Sequence, residues 1–254
     1  MARWLRFRHP DGDGFGLLEG ETIRVHAGDL FGSPSPTGQT LALAEVTPDL
    51  PCRPGKLLAL WNNFRAMAEK QALTHPPAPL FFVKPPNSYA ASGETIALPE
   101  CAGRVLYEGE LGIVIGKRGR DLTPGTAAEH IFGYTCLNDV TSLDILRADP
   151  SFLQWTRSKG LDGFSPFGPV IATDFDPAAA SVVVRVNGRE RQNYPLADMI
   201  RDPREIVAMI SQGLTLEPGD VIACGTSNGA GTIPKGATVE VEIAGIGVLV
   251  NRFE

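Results

Sequence analysis

"RVLYEGELGIVIGK", residues 104–117, is an apolar segment that holds two carboxylates near its middle. The alternation of a β-strand places Leu111 and Ile113 on one face and Glu108 and Glu110 on the other. Because the first face is aliphatic and the glycines of the segment let other groups come close, we predict a central strand that is covered on both sides. Two adjacent carboxylates in such a strand repel each other and lose hydration, so their placement calls for a positively charged partner.

A third acid follows in "GYTCLNDVTSLDI", where Asp139 comes directly after another apolar, strand-like run. Oxygen ligands without His or Cys suit Mg²⁺, Mn²⁺ or Ca²⁺ better than zinc. A divalent cation would relieve the repulsion between these acids, which makes a metal site the functional interpretation. An isolated pair of solvated acids on a surface strand is the alternative.

The composition is that of an ordinary soluble chain of 254 residues, with 43% hydrophobic residues and a net charge of −6. The lack of a basic surface argues against a nucleic-acid partner, and no apolar run approaches the roughly 20 residues that cross a bilayer. The early arginines are not followed by the apolar stretch of a signal peptide. The four cysteines lie far apart, as expected for reduced thiols. We therefore expect a cytoplasmic protein that contacts neither nucleic acid nor a membrane.

Two regions are predicted along the chain. Residues 1–52 alternate short apolar runs with Asp-Gly turns, which predicts a small N-terminal β-rich domain. Residues 53–254 contain mostly strands with a few helices, among them a helix in "MIRDPREIVAMISQG" that Pro203 interrupts. The fold class predicted for the whole chain is mainly β with some α, an α+β arrangement.

Five segments of the second region resemble the fumarylacetoacetate hydrolase family in their order and spacing. They are "YEGELGIVIGK", "GYTCLNDVT", "SKGLDGFSPFGPVI", "VNGRERQ" and "LEPGDVIACGTSNGAG". The resemblance covers residues 55–254 and implies a catalytic body of the mixed β-roll type, in a protein that is usually a homodimer. The family includes isomerases and decarboxylases of dienedioic acids and hydrolases of acylpyruvates.

The resemblance also implies a set of site residues. The family's Glu-x-Glu and later Asp bind Mg²⁺ or Mn²⁺, with Ca²⁺ possible in crystals, and they match Glu108, Glu110 and Asp139. Lys159 in "RSKGLDGF" matches the family's active-site lysine, which is expected to bind the substrate and to hydrogen-bond an oxyanion or move a proton. Thr226 in "CGTSNG" matches a threonine that contacts the substrate carboxylate, although a hydroxyl that stabilises a turn is an alternative. The implied enzyme acts on a 2-oxo or β-diketone-type acid through a metal-stabilised enolate, by C–C hydrolysis, decarboxylation or keto–enol isomerisation.

Two departures from the family change this expectation. The His–Glu pair that activates water in the family's hydrolases falls on Met67 and Lys70, so no histidine is supplied. The Arg and Gln that bind the substrate's carboxylate fall on Leu143 and Leu146, which cannot pair with an anion, although Arg147 is adjacent. These departures therefore favour decarboxylation or isomerisation over hydrolysis. The alternative is a catalytically weak protein that binds oxo acids through a metal, or a partner subunit that lacks the hydrolytic dyad.

Overall fold

The computed structural model describes residues 1–254 as a mainly β structure of three sheets with five short α-helices, which confirms the predicted fold class. The strands in chain order are β1 Arg3–Arg8, β2 Gly14–Glu19, β3 Thr22–Ala27, β4 Ser35–Ala42, β5 Thr47–Pro48, β6 Leu57–Trp61, β7 Leu80–Lys84, β8 Tyr89–Ala90, β9 Thr95–Ile96, β10 Val105–Tyr107, β11 Gly109–Ile115, β12 Ile131–Asn138, β13 Thr141–Ser142, β14 Ser165–Ala172, β15 Ser181–Val186, β16 Arg189–Pro195, β17 Val221–Ala223, β18 Gly231–Thr232, β19 Thr238–Ile243 and β20 Gly247–Phe253. The helices are α1 Arg65–Lys70, α2 Pro124–Ala127, α3 Leu143–Leu146, α4 Trp155–Lys159 and α5 Pro203–Ile210. None of the helices has the length and apolarity that a membrane crossing requires.

β11 is the central strand that the sequence predicts. It lies between β12 and β17, and all seven of its residues are buried. Leu111 and Ile113 belong to the larger apolar core, whereas Val114, on the opposite face, belongs to a second core of 11 residues. Both faces of the strand are therefore covered, and Glu110 is held in the interior of the protein.

The acidic segment forms two strands rather than one. β10 pairs with β13 and β18 in a three-stranded sheet, whereas β11 belongs to a twelve-stranded sheet. Glu108 lies at the break, where its N–H donates to Asn138 Oδ1 at 2.9 Å and its C=O accepts from the N–H of Asp139 at 2.8 Å. The single continuous strand predicted from the alternation is wrong at Glu108, because these bonds hold the chain where it passes from one sheet to the other.

The twelve-stranded sheet curls back on itself near the acids. Its path runs β4-β3-β2-β1-β14-β12-β11-β17-β6-β7, and β5 pairs with β1. The edge strand β7 ends at Lys84, and after residues 85–88 the chain enters β8, which pairs with β14 in the middle of the path. An edge can return to the middle of its own sheet only if the sheet curves. This curvature brings the end of β7 next to Asp139, the residue that follows β12.

The N-terminal strands extend the same large sheet. β1 pairs antiparallel with β14, with Arg3 opposite Ala172 and Trp4 opposite Ile171, and β2, β3 and β4 follow outward to the edge. The β-rich character of this region agrees with the Asp-Gly turns of its sequence, while a domain boundary after residue 52 stays a prediction.

A five-stranded sheet, in the order β16-β15-β19-β20-β9, packs over one face of β11. The contact is close at Gly109, where an added Cβ would lie 2.2 Å from Val184 Cγ2 and 3.3 Å from Val241 Cγ1. Glycine at this position therefore lets the two sheets approach. β15 and β16 form a hairpin whose turn residues, Asn187 and Gly188, both have positive φ, as a type I′ turn requires.

α5 begins at Pro203, so the prediction that Pro203 interrupts this helix is wrong. The carboxylate of Asp202 caps the helix by accepting hydrogen bonds from the N–H groups of Arg204 at 2.8 Å and Glu205 at 2.9 Å. Proline suits the first position of a helix, because the N–H that it lacks would have no partner there.

Candidate active site

The three acids that the sequence singles out come together at one point. Glu108 lies between β10 and β11, Glu110 is the second residue of β11, and Asp139 directly follows β12. One carboxylate oxygen from each residue lies within 4.8 Å of the other two. The antiparallel pairing of β11 with β12 explains the convergence, because it places Gly109 opposite Asn138 and so puts the start of one strand beside the end of the other.

Burial makes these charges costly. Glu110 and Asp139 are each 1% exposed, whereas Glu108 is only half-buried. Burial, followed by the nearby charge of Asp139, raises the pKa of Glu110 well above its ordinary value. Burial also raises the pKa of Asp139, but the charges of two lysines outweigh this effect and hold that pKa below its ordinary value. The charged form of Glu110 is therefore disfavoured in this site unless a cation lies beside it.

Lys159 is the lysine expected from the sequence, and it lies against the acids at the end of α4. Its Nζ is 2.9 Å from Glu108 Oε2 and 2.5 Å from Asp139 Oδ2. It also lies 4.9 Å from the centre of the Phe82 ring. Burial by itself lowers the pKa of Lys159, but the charges of Asp139 and Glu108 outweigh it and raise the pKa above its ordinary value. Lys159 is therefore a protonated donor at neutral pH.

A second lysine, Lys84, was missed by the sequence reasoning. It ends β7, is fully buried, and donates to the carboxylate of Asp139 and to the carbonyl oxygen of Phe164 at 2.8 Å. Burial lowers its pKa to about 8, against the opposing charge of Asp139. A signal was present in "LFFVKP", where a lysine ends an apolar strand, but only the curvature of the sheet shows which acid it meets.

The donor set fits a hard divalent cation. The two ammonium groups of the site pair with Asp139 and Glu108, so the buried Glu110 has no lysine partner and its charged form needs a further cation. All the candidate ligand atoms are carboxylate oxygens, the type that Mg²⁺ and Mn²⁺ prefer. Glu108, Glu110 and Asp139 could therefore hold one such ion.

Thr226 lies beside the acids, in the loop that follows β17. Its hydroxyl donates to the carbonyl oxygen of Gly109 at 2.9 Å and accepts from Gln192 Nε2 at 3.0 Å. The N–H of the preceding Gly225 donates to Glu110 Oε2 at 2.7 Å, so this loop also fixes one of the acids. To donate to a substrate carboxylate, the Thr226 hydroxyl must exchange its bond to Gly109. Its role in substrate binding stays a prediction.

A cavity of about 420 Å³ leads from this cluster to the surface. Its inner end is lined by Glu108, Thr141, Lys159 and Thr226. Residues at the positions where the sequence departs from the family also line it: Met67, Lys70, Leu143, Leu146 and Arg147. No histidine lines the cavity, so the structure supplies no replacement for the missing dyad.

Two parts of the chain match known protein families. Residues 56–254 match the fumarylacetoacetate (FAA) hydrolase C-terminal family, and residues 2–47 match the Rv2993c-like N-terminal family. The first match covers well over half of the chain. The protein belongs to the fumarylacetoacetate hydrolase family. The resemblance seen in the sequence motifs is thereby confirmed, and the cavity described above lies within the matched region.

Individual relatives within the fumarylacetoacetate hydrolase family span several activities. Protein Rv2993c of Mycobacterium tuberculosis is 39% identical over 97% of this chain and 96% of its own. The crystal structure of 2-hydroxyhepta-2,4-diene-1,7-dioate isomerase from Mycobacterium marinum is 38% identical, with a TM-score of 0.92 over 100% of this chain and 98% of its own. Fumarylpyruvate hydrolase from Pseudomonas aeruginosa, solved with Mn²⁺ and pyruvate, is 29% identical, with a TM-score of 0.73 over 82% of this chain and 91% of its own.

Proposed function

We propose that this protein is a divalent-metal-dependent enzyme that acts on a 2-oxo acid through an enolate, by keto–enol isomerisation or decarboxylation rather than by C–C hydrolysis. The proposal is supported by the convergence of three carboxylates beside Lys159, of which Glu108 and Lys159 line a cavity without histidine. When bound, Mg²⁺ or Mn²⁺ supplies chelation of adjacent carboxylate and carbonyl oxygens and lowers the energy of the enolate's negative charge. The solved relative with Mn²⁺ and pyruvate binds a metal and a 2-oxo acid together.

Lys159 is the residue placed to act on the substrate. Its Nζ lines the cavity and is held between Glu108 and Asp139. Because its ammonium group lies at the cavity, it is placed to donate a hydrogen bond to the enolate oxygen and to deliver a proton to the enolate carbon. Thr141 supports this arrangement, since its hydroxyl donates to Glu108 Oε1 at 2.9 Å and fixes that carboxylate at the cavity.

Hydrolysis is disfavoured because the two positions of the family's water-activating pair carry no base. Met67 and Lys70, on α1, line the cavity where the family's hydrolases carry His and Glu. A thioether is a weak acceptor, and a lysine ammonium group donates hydrogen bonds but has no acceptor atom. Decarboxylation forms the enolate by loss of CO2, and isomerisation of an enol acid forms it by loss of the acidic enol proton to solvent. Neither reaction needs an attacking water, and Lys159 is placed to deliver a proton to the enolate carbon and to regain one from solvent.

Activity of the full chain tests the proposal. Oxaloacetate, acylpyruvates and 2-hydroxymuconate-type dienoates are incubated with Mg²⁺, with Mn²⁺ or with a chelator, and the products are identified by mass spectrometry. We expect metal-dependent isomerisation or decarboxylation, and little hydrolysis.

The metal site is tested separately by Mn²⁺ titration calorimetry of Glu110→Gln and Asp139→Asn. Each substitution removes one negative charge while keeping the shape of the side chain, so we expect both variants to lose Mn²⁺ binding while circular dichroism shows that they stay folded. The exposed Glu129→Gln is the matched control and keeps full affinity. Unchanged affinity in both site variants would exclude the metal site.

Substitution of Lys159 separates binding from turnover. We expect Lys159→Ala to retain Mn²⁺ affinity and to lower turnover by about 10²–10⁴-fold, the range for a lost acid–base group. Activity equal to that of the parent protein would remove Lys159 from the mechanism.

The missing His–Glu pair also favours a second candidate function, a metal-dependent binder of oxo acids or a partner subunit. Tight, metal-dependent binding of oxalate without turnover of any substrate in the panel would support this candidate. The homodimer expected from the family resemblance stays a prediction, which light scattering of the full chain measures directly.

A further inference from the structure

The cavity has two parts of different chemistry. Its inner end is lined by Glu108, Lys159 and two threonines, Thr141 and Thr226, whereas the wall between this end and the surface is mostly apolar. Leu106, Leu143 and Leu146 line that wall, and Met67 of α1 lines the same cavity. None of these side chains has a strong hydrogen-bond donor or acceptor. If a ligand binds a metal at the inner end, the rest of the ligand therefore lies against these apolar side chains.

Local structure holds the leucines toward the cavity. Leu143 and Leu146 are three residues apart on α3, so they share one face of the helix. The Ser142 hydroxyl caps this helix by accepting from the N–H of Ile145 at 3.3 Å. Leu106 comes from β10, whose neighbouring residues are buried while Leu106 itself is half-buried. These leucines belong to secondary-structure elements and not to loops, so the wall is pre-formed.

Aromatic rings complete the apolar surface. Phe82 and Trp155 stack with their centroids 5.2 Å apart and an interplanar angle of 16°, and Trp61 lies 5.9 Å from Trp155. All three line the cavity. Stacked rings present a flat, weakly polar face that suits an alkyl chain or another planar group.

Two cationic side chains near the opening of the cavity suggest a competing interpretation, in which the distal end of the ligand is a carboxylate. Lys70 and Arg147 also line the cavity, but both are exposed to solvent. A distal carboxylate placed against the leucine wall would lose its hydration without gaining a partner, which is costly. A carboxylate could be bound only if the ligand reached Lys70 or Arg147 at the opening. Binding measurements with the two kinds of ligand tail distinguish these possibilities.

We propose that the wall formed by Leu106, Leu143 and Leu146 makes the site selective for 2-oxo acids whose distal substituent is an uncharged alkyl or aryl group. The inference rests on the proposed function, because it assumes that the oxo acid end binds at the metal. The leucines act as specificity-determining residues: they exclude water from the tail and reject a charged one.

Binding of stable chelating analogues to the Mn²⁺-loaded full chain tests the proposal by calorimetry. Oxalate is the probe without a tail, N-pentyl oxamate carries an alkyl tail, and N-(4-carboxybutyl) oxamate carries a tail of equal length that ends in a carboxylate. Each methylene buried against the wall contributes about fourfold in affinity. We expect the pentyl compound to bind at least tenfold more tightly than its carboxylate counterpart.

Substitutions at the wall give a second readout. Leu143→Arg should lower the affinity for N-pentyl oxamate at least tenfold and reverse the preference between the two tails, while oxalate binding stays unchanged. Leu214→Arg is the matched control, because Leu214 is also half-buried but lies outside the cavity, and we expect it to keep the parent preference. Tryptophan fluorescence should change with the pentyl compound, and Trp155→Phe should reduce that change, with Trp61 as the second tryptophan that lines the cavity.

The outcomes separate the two proposals. If oxalate binds only with metal and the carboxylate-tailed compound binds as tightly as the pentyl compound or more tightly, the apolar selectivity is overturned and Lys70 and Arg147 form the distal subsite. If no compound shows metal-dependent binding, the proposed function fails, and this inference fails with it. The comparison of tails in the parent protein decides the question even if the Leu143→Arg chain does not fold.

Discussion

Lys84 and Lys56 each pair with a buried aspartate, but only the ammonium group of Lys84 is itself removed from solvent. The Lys84 side chain is 0% exposed and pairs with Asp139, whereas the Lys56 side chain is 26% exposed and pairs with Asp220. Asp220 also accepts backbone N–H bonds from Lys56 at 3.1 Å and from Glu217 at 2.7 Å. Comparing the two pairs therefore measures how the burial of a lysine changes its contribution to stability.

We expect Lys84→Met to lower the free energy of unfolding by about 3–5 kcal/mol, because it leaves Asp139 charged and buried without one of its two cations. Lys56→Met should cost about 1–2 kcal/mol, because Asp220 keeps its backbone donors. Urea unfolding measures both values. Adding Asp139→Asn to Lys84→Met should recover part of the loss; equal losses in the two lysine variants would contradict this account.

The four cysteine thiols also differ in their exposure to solvent. Cys101 is exposed, whereas Cys52, Cys136 and Cys224 are buried, and burial raises the pKa of Cys136 to about 12. Reaction needs the thiolate, so a raised pKa keeps a buried thiol protonated and unreactive even as the pH rises toward about 9.5.

We therefore expect about one thiol per native chain to react with Ellman's reagent, and all four after denaturation. Raising the pH from about 7.5 to about 9.5 should speed this single reaction without recruiting a second thiol. Cys101→Ser should abolish the native reaction. Rapid labelling of two or more thiols in the folded protein would show that the core opens.

At the scale of elements, the break between β10 and β11 explains why Glu108 and Glu110 differ in burial. Glu108 lies between the strands and stays half-buried at the cavity, while Glu110 lies within β11 and is buried. A continuous strand would have placed both on one face. The difference arises because Asn138 and Asp139 bond to the backbone of Glu108. The same bonds place Asp139 beside the two glutamates.

The close packing of the five-stranded sheet on β11 gives a prediction at this scale. Gly109→Ala would bring a Cβ within 2.2 Å of Val184 Cγ2, and we expect a loss of about 1–3 kcal/mol in urea unfolding. Gly125→Ala is the control, because the nearest atom to an added Cβ there, Thr123 Oγ1, is 3.8 Å away; it should leave the stability unchanged or raise it by up to about 1 kcal/mol. The double variant Gly109→Ala/Val184→Ala should be more stable than Gly109→Ala if the clash is the cause.

For the molecule as a whole, the three converging acids link metal binding to stability. If Mn²⁺ binds only the folded state, a concentration 100 times Kd adds about 2.7 kcal/mol of stability. For a chain of this size we expect the melting temperature to rise by about 5–10 °C. Differential scanning calorimetry measures the shift, with NaCl at matched ionic strength and Glu110→Gln as controls. An equal shift in Glu110→Gln would place the stabilising ion elsewhere.

By itself, the sequence was sufficient to predict a mainly β fold with a buried central strand and to select three acids as candidate ligands of one cation, whereas Lys159 was selected through the resemblance to the family. These predictions rest on local patterns: alternation along a strand, turn residues, and short motifs whose residue types match a known chemistry. The resemblance to the family added the pairing of motifs that lie far apart in the chain.

Only the tertiary structure decided which distant groups meet beside those motifs. The curvature of the large sheet brings Lys84 to Asp139, 55 residues away, and the folding of α3 over β10 puts three leucines along one cavity. It also showed that Glu108 lies at a break between sheets and that Pro203 starts a helix. The physical reason is that the pattern of residue types along a segment sets the local conformation of the backbone. Which distant side chains come into contact depends instead on how the sheets curve and pack on one another, and the hydrophobic periodicity of a single segment does not determine this.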